Sequence, residues 1–194
     1  MSNKIAIIDY GMGNTFSVQS ALKNVGLESI ITSKEKDIID SRAIILPGVG
    51  AFPKAMEKIK KKKIDKVILQ ANRENKIIIG ICLGMQLLFE KSYENVATKG
   101  LGLLKGKVIN FSKNNKIKKF NVGWNKINLN LKNKDQNLKN LDKKYMYFIH
   151  SYQVIVNEEN IVTSRSKFNS ITFTSSIKKK NIIGYQFHPE KSSK

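Results

Sequence analysis

Cysteine is almost absent from this chain: Cys82 is the only one in 194 residues. An internal disulfide is therefore excluded, and a lone thiol suits a reducing compartment, so a cytoplasmic location is expected. Histidine is nearly as scarce, with only His150 and His188. Long apolar runs are also missing. No stretch approaches the roughly 20 residues of a membrane-spanning helix. The N-terminal MSNKIAIIDYG runs directly into a strand pattern, so no signal peptide is expected. Arginine is limited to Arg42, Arg73 and Arg165, and the formal charge of +20 is carried by lysine. Readers of nucleic acid draw on arginine and interleaved aromatics, so specific nucleic-acid binding is not expected. Abundant Asn, Ile and Lys fit a bias toward AT-rich codons. The lysine run at residues 58–63 reads as the exposed end of a helix, and residues 113–119 and 132–144 as solvated loops.

The length fits one domain with a sizeable core, spanning residues 1–194. Residues 4–9 form an apolar run that reads as a first strand. A glycine-rich turn follows at residues 10–14, then a helix that Thr15 can cap, with Val18, Ala21, Leu22 and Val25 on one face and a stop at Gly26. Short strands are expected at residues 29–32, 43–46 and 76–79. Helices are expected from residue 51, over residues 64–72, and after Cys82, the last carrying Leu83, Gln86, Leu87 and Phe89. This alternation predicts an α/β fold built on a mostly parallel, doubly wound sheet with helices on both faces. After residue 99 the texture becomes β-rich, with short strand-like pieces that complete and edge the sheet. Residues 130–144 read as a mobile excursion, and residues 182–187 as a last strand that delivers His188-Pro189-Glu190 to its C-terminal end.

Cys82 sits in IGICLGMQ, with Gly80 and Gly84 two positions away on either side. This G-x-C-x-G pattern is the thiol version of the nucleophile elbow, a strand-to-helix turn too tight for flanking side chains. A helix N-terminus favours a thiolate and offers free N–H groups to an oxyanion. The alternative is a buried structural cysteine. A cysteine nucleophile needs a base and a group that orients it. His188 is followed two residues later by Glu190; on an extended segment the two side chains point the same way, so Glu190 can hold one imidazole nitrogen while the other faces Cys82. His150 has no acid close behind it in sequence; it is a second candidate base, a structural histidine or the edge of a substrate pocket. Pro47-Gly48-Val49-Gly50 carries almost no side-chain bulk. It can aim a backbone N–H at an oxyanion, or it is a plain strand-to-helix turn.

Together these segments resemble the class I (triad) glutamine amidotransferase family. The resembling pieces are IDYGMGN at residues 8–14, LPGVGAF at 46–52, GICLGMQLLFE at 80–90, GLGLLKGKV from residue 100, GWN at 123–125, YFIHSY at 147–152 and YQFHPEKS at 185–192. Within the family the match is closest to glutaminase subunits that pair, as heterodimers, with a (β/α)8-barrel cyclase making imidazole glycerol phosphate in histidine biosynthesis. The resemblance implies Cys82, His188 and Glu190 as the catalytic residues. It implies a glutamine pocket drawn from Gly48, Val49, Gly50, Leu83, Gln86, His150, Ser151 and Tyr152, and Lys191 at the partner interface. It implies no cofactor and no metal, and an ammonia product channelled to the partner without meeting solvent. Three features depart from the family pattern: Phe120-Asn121-Val122 stands where Pro-His usually precedes GWN, Thr15-Phe16 where Leu-Arg is usual, and the C-terminal end is short. Paralogues that supply ammonia to a sugar amidotransferase for surface polysaccharides are the alternative. A catalytically silent binding subunit is a third reading.

Overall fold

The computed structural model describes residues 3–111, 120–130 and 136–192. The lysine loop expected at residues 113–119 lies outside them, as do residues 132–135 of the second. Four short, largely aliphatic segments form most of the parallel part of the sheet: β1 (Ile5–Ile8), β2 (Ser29–Thr32) at its edge, β3 (Ala43–Leu46) and β4 (Ile77–Ile81). Such runs suit strands covered on both faces, and all four pair in parallel in the order β2-β1-β3-β4. Alternate residues of β1 serve opposite layers. Ile5 and Ile7 pack with Val18 and Leu22 of helix α1 (Thr15–Asn24). Ala6 and Ile8 join the core formed with α2 (Glu35–Asp40), α3 (Phe52–Lys61) and α4 (Ile64–Arg73).

Local chemistry sets several boundaries. Helix α1 is capped by Asn14 rather than Thr15: the Asn14 Oδ1 accepts from the Ser17 N–H at 3.3 Å, while Thr15 is already helical. The lysine run does end α3, which buries Ile59 among Lys58, Lys60 and Lys61. These lysines also have partners, since Lys58 Nζ donates to the Gly11 carbonyl at 2.9 Å and Lys62 Nζ to the Asp9 carbonyl at 3.1 Å. They hold the glycine-rich turn against the end of α3.

The nine-stranded sheet is less parallel than expected. Its parallel part ends at β13 (Ile182–Tyr185), which pairs with β4. Beyond it, β12 (Ile171–Lys179), β11 (Val162–Phe168), β8 (Asn121–Leu129) and β9 (Tyr145–His150) are all antiparallel. The reason is connection length. A two-residue loop at Asn169, which has φ 53°, joins β11 to β12, and only antiparallel neighbours accept so short a link. A second sheet has the order β10-β7-β5-β6, from β5 (Phe89–Ser92), β6 (Thr98–Lys99), β7 (Leu104–Asn110) and β10 (Tyr152–Val156). Phe89, expected on a helix, opens β5 because it pairs with Leu104 across that sheet. The described part of the expected 130–144 excursion is docked: Leu138 is buried, and the Lys143 N–H donates to the Ile127 carbonyl at 2.9 Å.

Candidate active site

The parallel pairing of β13 with β4 sets Tyr185 opposite Ile81, so the segment leaving β13 runs beside the residue leaving β4. That residue is Cys82, the cap of the five-residue helix α5 (Leu83–Leu87). Its φ of 54° and ψ of −111° lie where a side chain is rarely tolerated. A conformation of this kind costs about 1–3 kcal/mol and persists only where its surroundings enforce it. Here the Cys82 N–H donates to the Tyr185 carbonyl at 2.7 Å, and the Cys82 carbonyl accepts from the Gln86 N–H at 3.3 Å. The flanking glycines are required by space. A Cβ on Gly80 would lie 2.7 Å from Met85 Cα, and one on Gly84 would fall onto the Leu46 carbonyl oxygen. Gly84→Ala is therefore expected to destabilise the fold by about 3 kcal/mol or more, read as a fall in thermal midpoint or loss of soluble protein.

Three buried side chains meet at this turn. His188 Nδ1 and Glu190 Oε1 are 2.7 Å apart, with both side chains 3% exposed. The approach differs from the expected extended segment: a 3-10 turn at Pro189–Lys191 carries Glu190 back beneath the ring, closed by the Lys191 N–H on the His188 carbonyl at 3.0 Å. The His188 backbone N–H is tied to the Tyr147 carbonyl at 2.9 Å. His188 Nε2 is buried and outside strict hydrogen-bonding geometry with every described partner, yet Cys82 acts on the ring as a near hydrogen-bonding partner and through its charge. Burial works against the imidazolium, but Cys82 and Glu190 together outweigh it and push the His188 pKa up to about 9. The Cys82 Sγ also lies 3.7 Å from the Ile149 carbonyl and 3.8 Å from Gln186 Nε2.

His150 is held differently. Its Nδ1 is 2.8 Å from the Tyr152 carbonyl and its Nε2 is 3.0 Å from Asn121 Nδ2, so both nitrogens are occupied. Burial, only partly opposed by the Tyr152 carbonyl and reinforced by the charge of His188, lowers its pKa to about 4. This ring is neutral at pH 7.

A cavity of about 380 Å³ opens above Cys82, a volume suited to a small polar metabolite. Val49, Gly50, Leu83, Gln86 and the His150–Tyr152 segment line it together with Cys82. Gly48 does not; it lies beneath, packed toward the Tyr10 hydroxyl and Leu83. The cavity also includes Glu94, Phe120, Val122 and Ile149, which the sequence reading did not select. Glu94 is the one carboxylate among its described lining residues. Its Oε2 accepts from the Phe52 N–H at 2.7 Å, and burial raises its pKa against that hydrogen bond. A lone glutamate after a short strand has no local signature, so nothing in the sequence marked it.

The site thus combines a cysteine on a strained turn, an imidazole whose protonated form Cys82 and a buried carboxylate favour, and a small cavity. The sequence model of the family "Glutamine amidotransferase class-I" matches residues 6–194. The chain belongs to the class-I glutamine amidotransferases. Among curated members, it is 42% identical over 193 residues to imidazole glycerol phosphate synthase subunit HisH of Bacillus subtilis, covering 97% of this chain and 90% of that one. It is 46% identical over 188 residues to the subunit of the same name from Caldanaerobacter subterraneus, covering 97% and 91%. Solved structures share the amidotransferase fold. A glutamine amidotransferase superposes with a TM-score of 0.74 at 17% identity, covering 96% of this chain and 90% of that one. PurLQS from Thermotoga maritima superposes at 0.73 and 22% identity, covering 98% and 89%. Among the described residues of this amidotransferase, no helix is long and apolar enough to cross a membrane.

Proposed function

We propose that this amidotransferase is the glutaminase subunit of imidazole glycerol phosphate synthase, acting in histidine biosynthesis. The observation that carries the chemistry is that Cys82, which lines the cavity, interacts with the buried His188–Glu190 pair. The pathway rests on curated relatives, named as that subunit, over nearly their full length; they do not favour the polysaccharide alternative. In this reading Cys82 Sγ attacks the side-chain carboxamide carbon of glutamine. The oxyanion is held by the Leu83 N–H and one from the Gly48–Gly50 loop. His188 gives its proton to the departing nitrogen, the C–N bond breaks, and ammonia leaves a γ-glutamyl thioester. Water then attacks the thioester, with His188 taking its proton, and glutamate is released.

Glu94 is the group we assign to the α-ammonium of glutamine. Its carboxylate is half-buried and held in its uncharged direction by desolvation, and a cation in the cavity relieves that cost. Glu94→Gln is expected to raise the KM for glutamine about 10- to 100-fold with a smaller change in kcat, measured as glutamate release at varied glutamine.

The ammonia acceptor is a (β/α)8-barrel cyclase bound as a heterodimer. The surface that supports this docking rims the cavity. Phe120, Val122 and Ile149 are exposed there, Trp124 is exposed further along β8 against Tyr147, and Lys191 Nζ stands 5.7 Å from the Tyr147 ring centroid. Apolar and aromatic surface of this kind marks a protein interface. The pair works in the cytoplasm, where a nucleophilic thiol stays reduced. Co-expression with the cyclase tests the assignment. Glutamine-dependent formation of imidazole glycerol phosphate from the ribulosyl substrate is expected; a stable complex that cannot use that substrate overturns it.

A further inference from the structure

Gln186 lies just past β13, two residues before His188, and is fully buried at 0% exposure. The mechanism above gives it no task. A buried primary amide must place two N–H donors and one carbonyl acceptor. Its Nε2 donates to the Cys82 sulfur at 3.8 Å, and its Oε1 accepts from Gln86 Nε2 at 3.0 Å. Gln86 Nε2 has a second bond, to the Tyr152 carbonyl at 3.1 Å, so both of its N–H groups are committed. This decides the orientation of both amides: turning Gln86 over would set two oxygens against each other. The Tyr152 carbonyl also accepts from His150 Nδ1, which leaves His150 Nε2 as an acceptor for Asn121 Nδ2. Asn121 Oδ1 accepts in turn from Asn125 Nδ2 at 2.6 Å. An unbroken set of hydrogen bonds therefore runs from strand β8, beneath the exposed Phe120 and Val122, to the thiol.

We propose that Gln186 is a positioning residue for the nucleophile: its amide N–H holds the Cys82 sulfur toward His188, and Gln86, the Tyr152 carbonyl, His150 and Asn121 lock that amide in its donor orientation. The inference rests on the glutaminase reading and adds a part to it. A buried sulfur anion needs donors. His188 can supply one only by risking transfer of its proton, whereas an amide donates without protonating. Gln86 lines the cavity, so the same side chain that borders the substrate sets the group that aims the sulfur.

Two variants test this. Gln186→Met keeps the volume and removes the donor. Gln186→Glu keeps the shape and the acceptor for Gln86 but sets a carboxyl oxygen against the sulfur, and it decides the matter if the Met variant does not fold. Each is assayed in the complex with the cyclase for glutamate release, with kcat and KM separated. Each isolated chain is also alkylated with iodoacetamide, whose only cysteine target in these 194 residues is Cys82. We expect kcat to fall about 10- to 100-fold, with KM within about threefold and alkylation at least about fivefold slower. A purely structural role would lower the melting temperature and leave the alkylation rate of the folded protein unchanged. A folded variant with kcat and alkylation within twofold of wild type, or a loss confined to KM, overturns the proposal. Activity that survives Cys82→Ala instead overturns the glutaminase reading beneath it.

Discussion

Cys82→Ala is expected to lower glutamine-dependent turnover by about 10⁴-fold or more, while synthesis by the complex from added ammonia is unchanged. The side chain removed is the only thiol in the chain, and neither His188 nor Glu190 can replace it as a nucleophile toward a carboxamide. Thermal stability near neutral pH is expected to fall modestly, because part of what holds the His188 pKa up is removed. The loss is limited: among the described residues the thiol's hydrogen bonds to the Ile149 carbonyl and Gln186 Nε2 are long, at 3.7 Å and 3.8 Å, and alanine has the same difficulty as cysteine at φ 54°. The measurement is paired: glutamate release and ammonia-supported product formation on one preparation. Retention of glutaminase activity removes the nucleophile assignment; loss of both activities points to a failure of assembly.

Glu190→Gln is expected to reduce kcat by about 10²- to 10⁴-fold, through His188. Burial pushes the His188 pKa down, and Cys82 and Glu190 hold it up at about 9. Without the carboxylate charge, burial regains weight and the ring loses its proton at lower pH. In the wild type the protonated ring, needed for the departing ammonia, is favoured up to about pH 9, so glutaminase activity is expected to fall above it. In the variant that fall moves to lower pH. Stability follows with a definite sign. A histidine whose folded pKa exceeds its ordinary 6.5 contributes fully below pH 6.5, and the contribution is lost as pH rises through about 9. The wild type should therefore lose melting temperature between pH 6.5 and 9, and the variant should show a flatter profile there. Equal slopes in a thermal-shift series at these pH values would separate Glu190 from the titration of His188.

The local chain carried much of this. Unbroken aliphatic runs in β1, β3 and β4 are legible as buried parallel strands because few other environments accept IAII or AIIL. Gly80 and Gly84 mark the turn at Cys82 because the backbone there passes too close to Leu46 and Met85 for any Cβ. Other elements were not legible. Helix α2 is one and a half turns with a single buried residue, Ile38, too short for a period to register. Phe89 follows helical spacing in sequence, yet pairing with Leu104 draws it into a strand. The antiparallel half of the large sheet follows from which short pieces found each other, and polar pieces such as VTSRSKF carry little face information.

The sequence by itself determined that a strained cysteine stands at the head of a helix, that His188 and Glu190 follow the last strand, and that lysine supplies the charge, since each is written in neighbouring residues. Only the tertiary structure decided that Glu94 borders the cavity, that Asn121 and Tyr152 occupy both nitrogens of His150, and that Gln86 turns Gln186 toward the thiol. The Gln86–Gln186 contact spans 100 residues. A hydrogen bond at that separation depends on how strands align in space, and an isolated Gln or Asn has the same local pattern whether it faces solvent or aims a nucleophile.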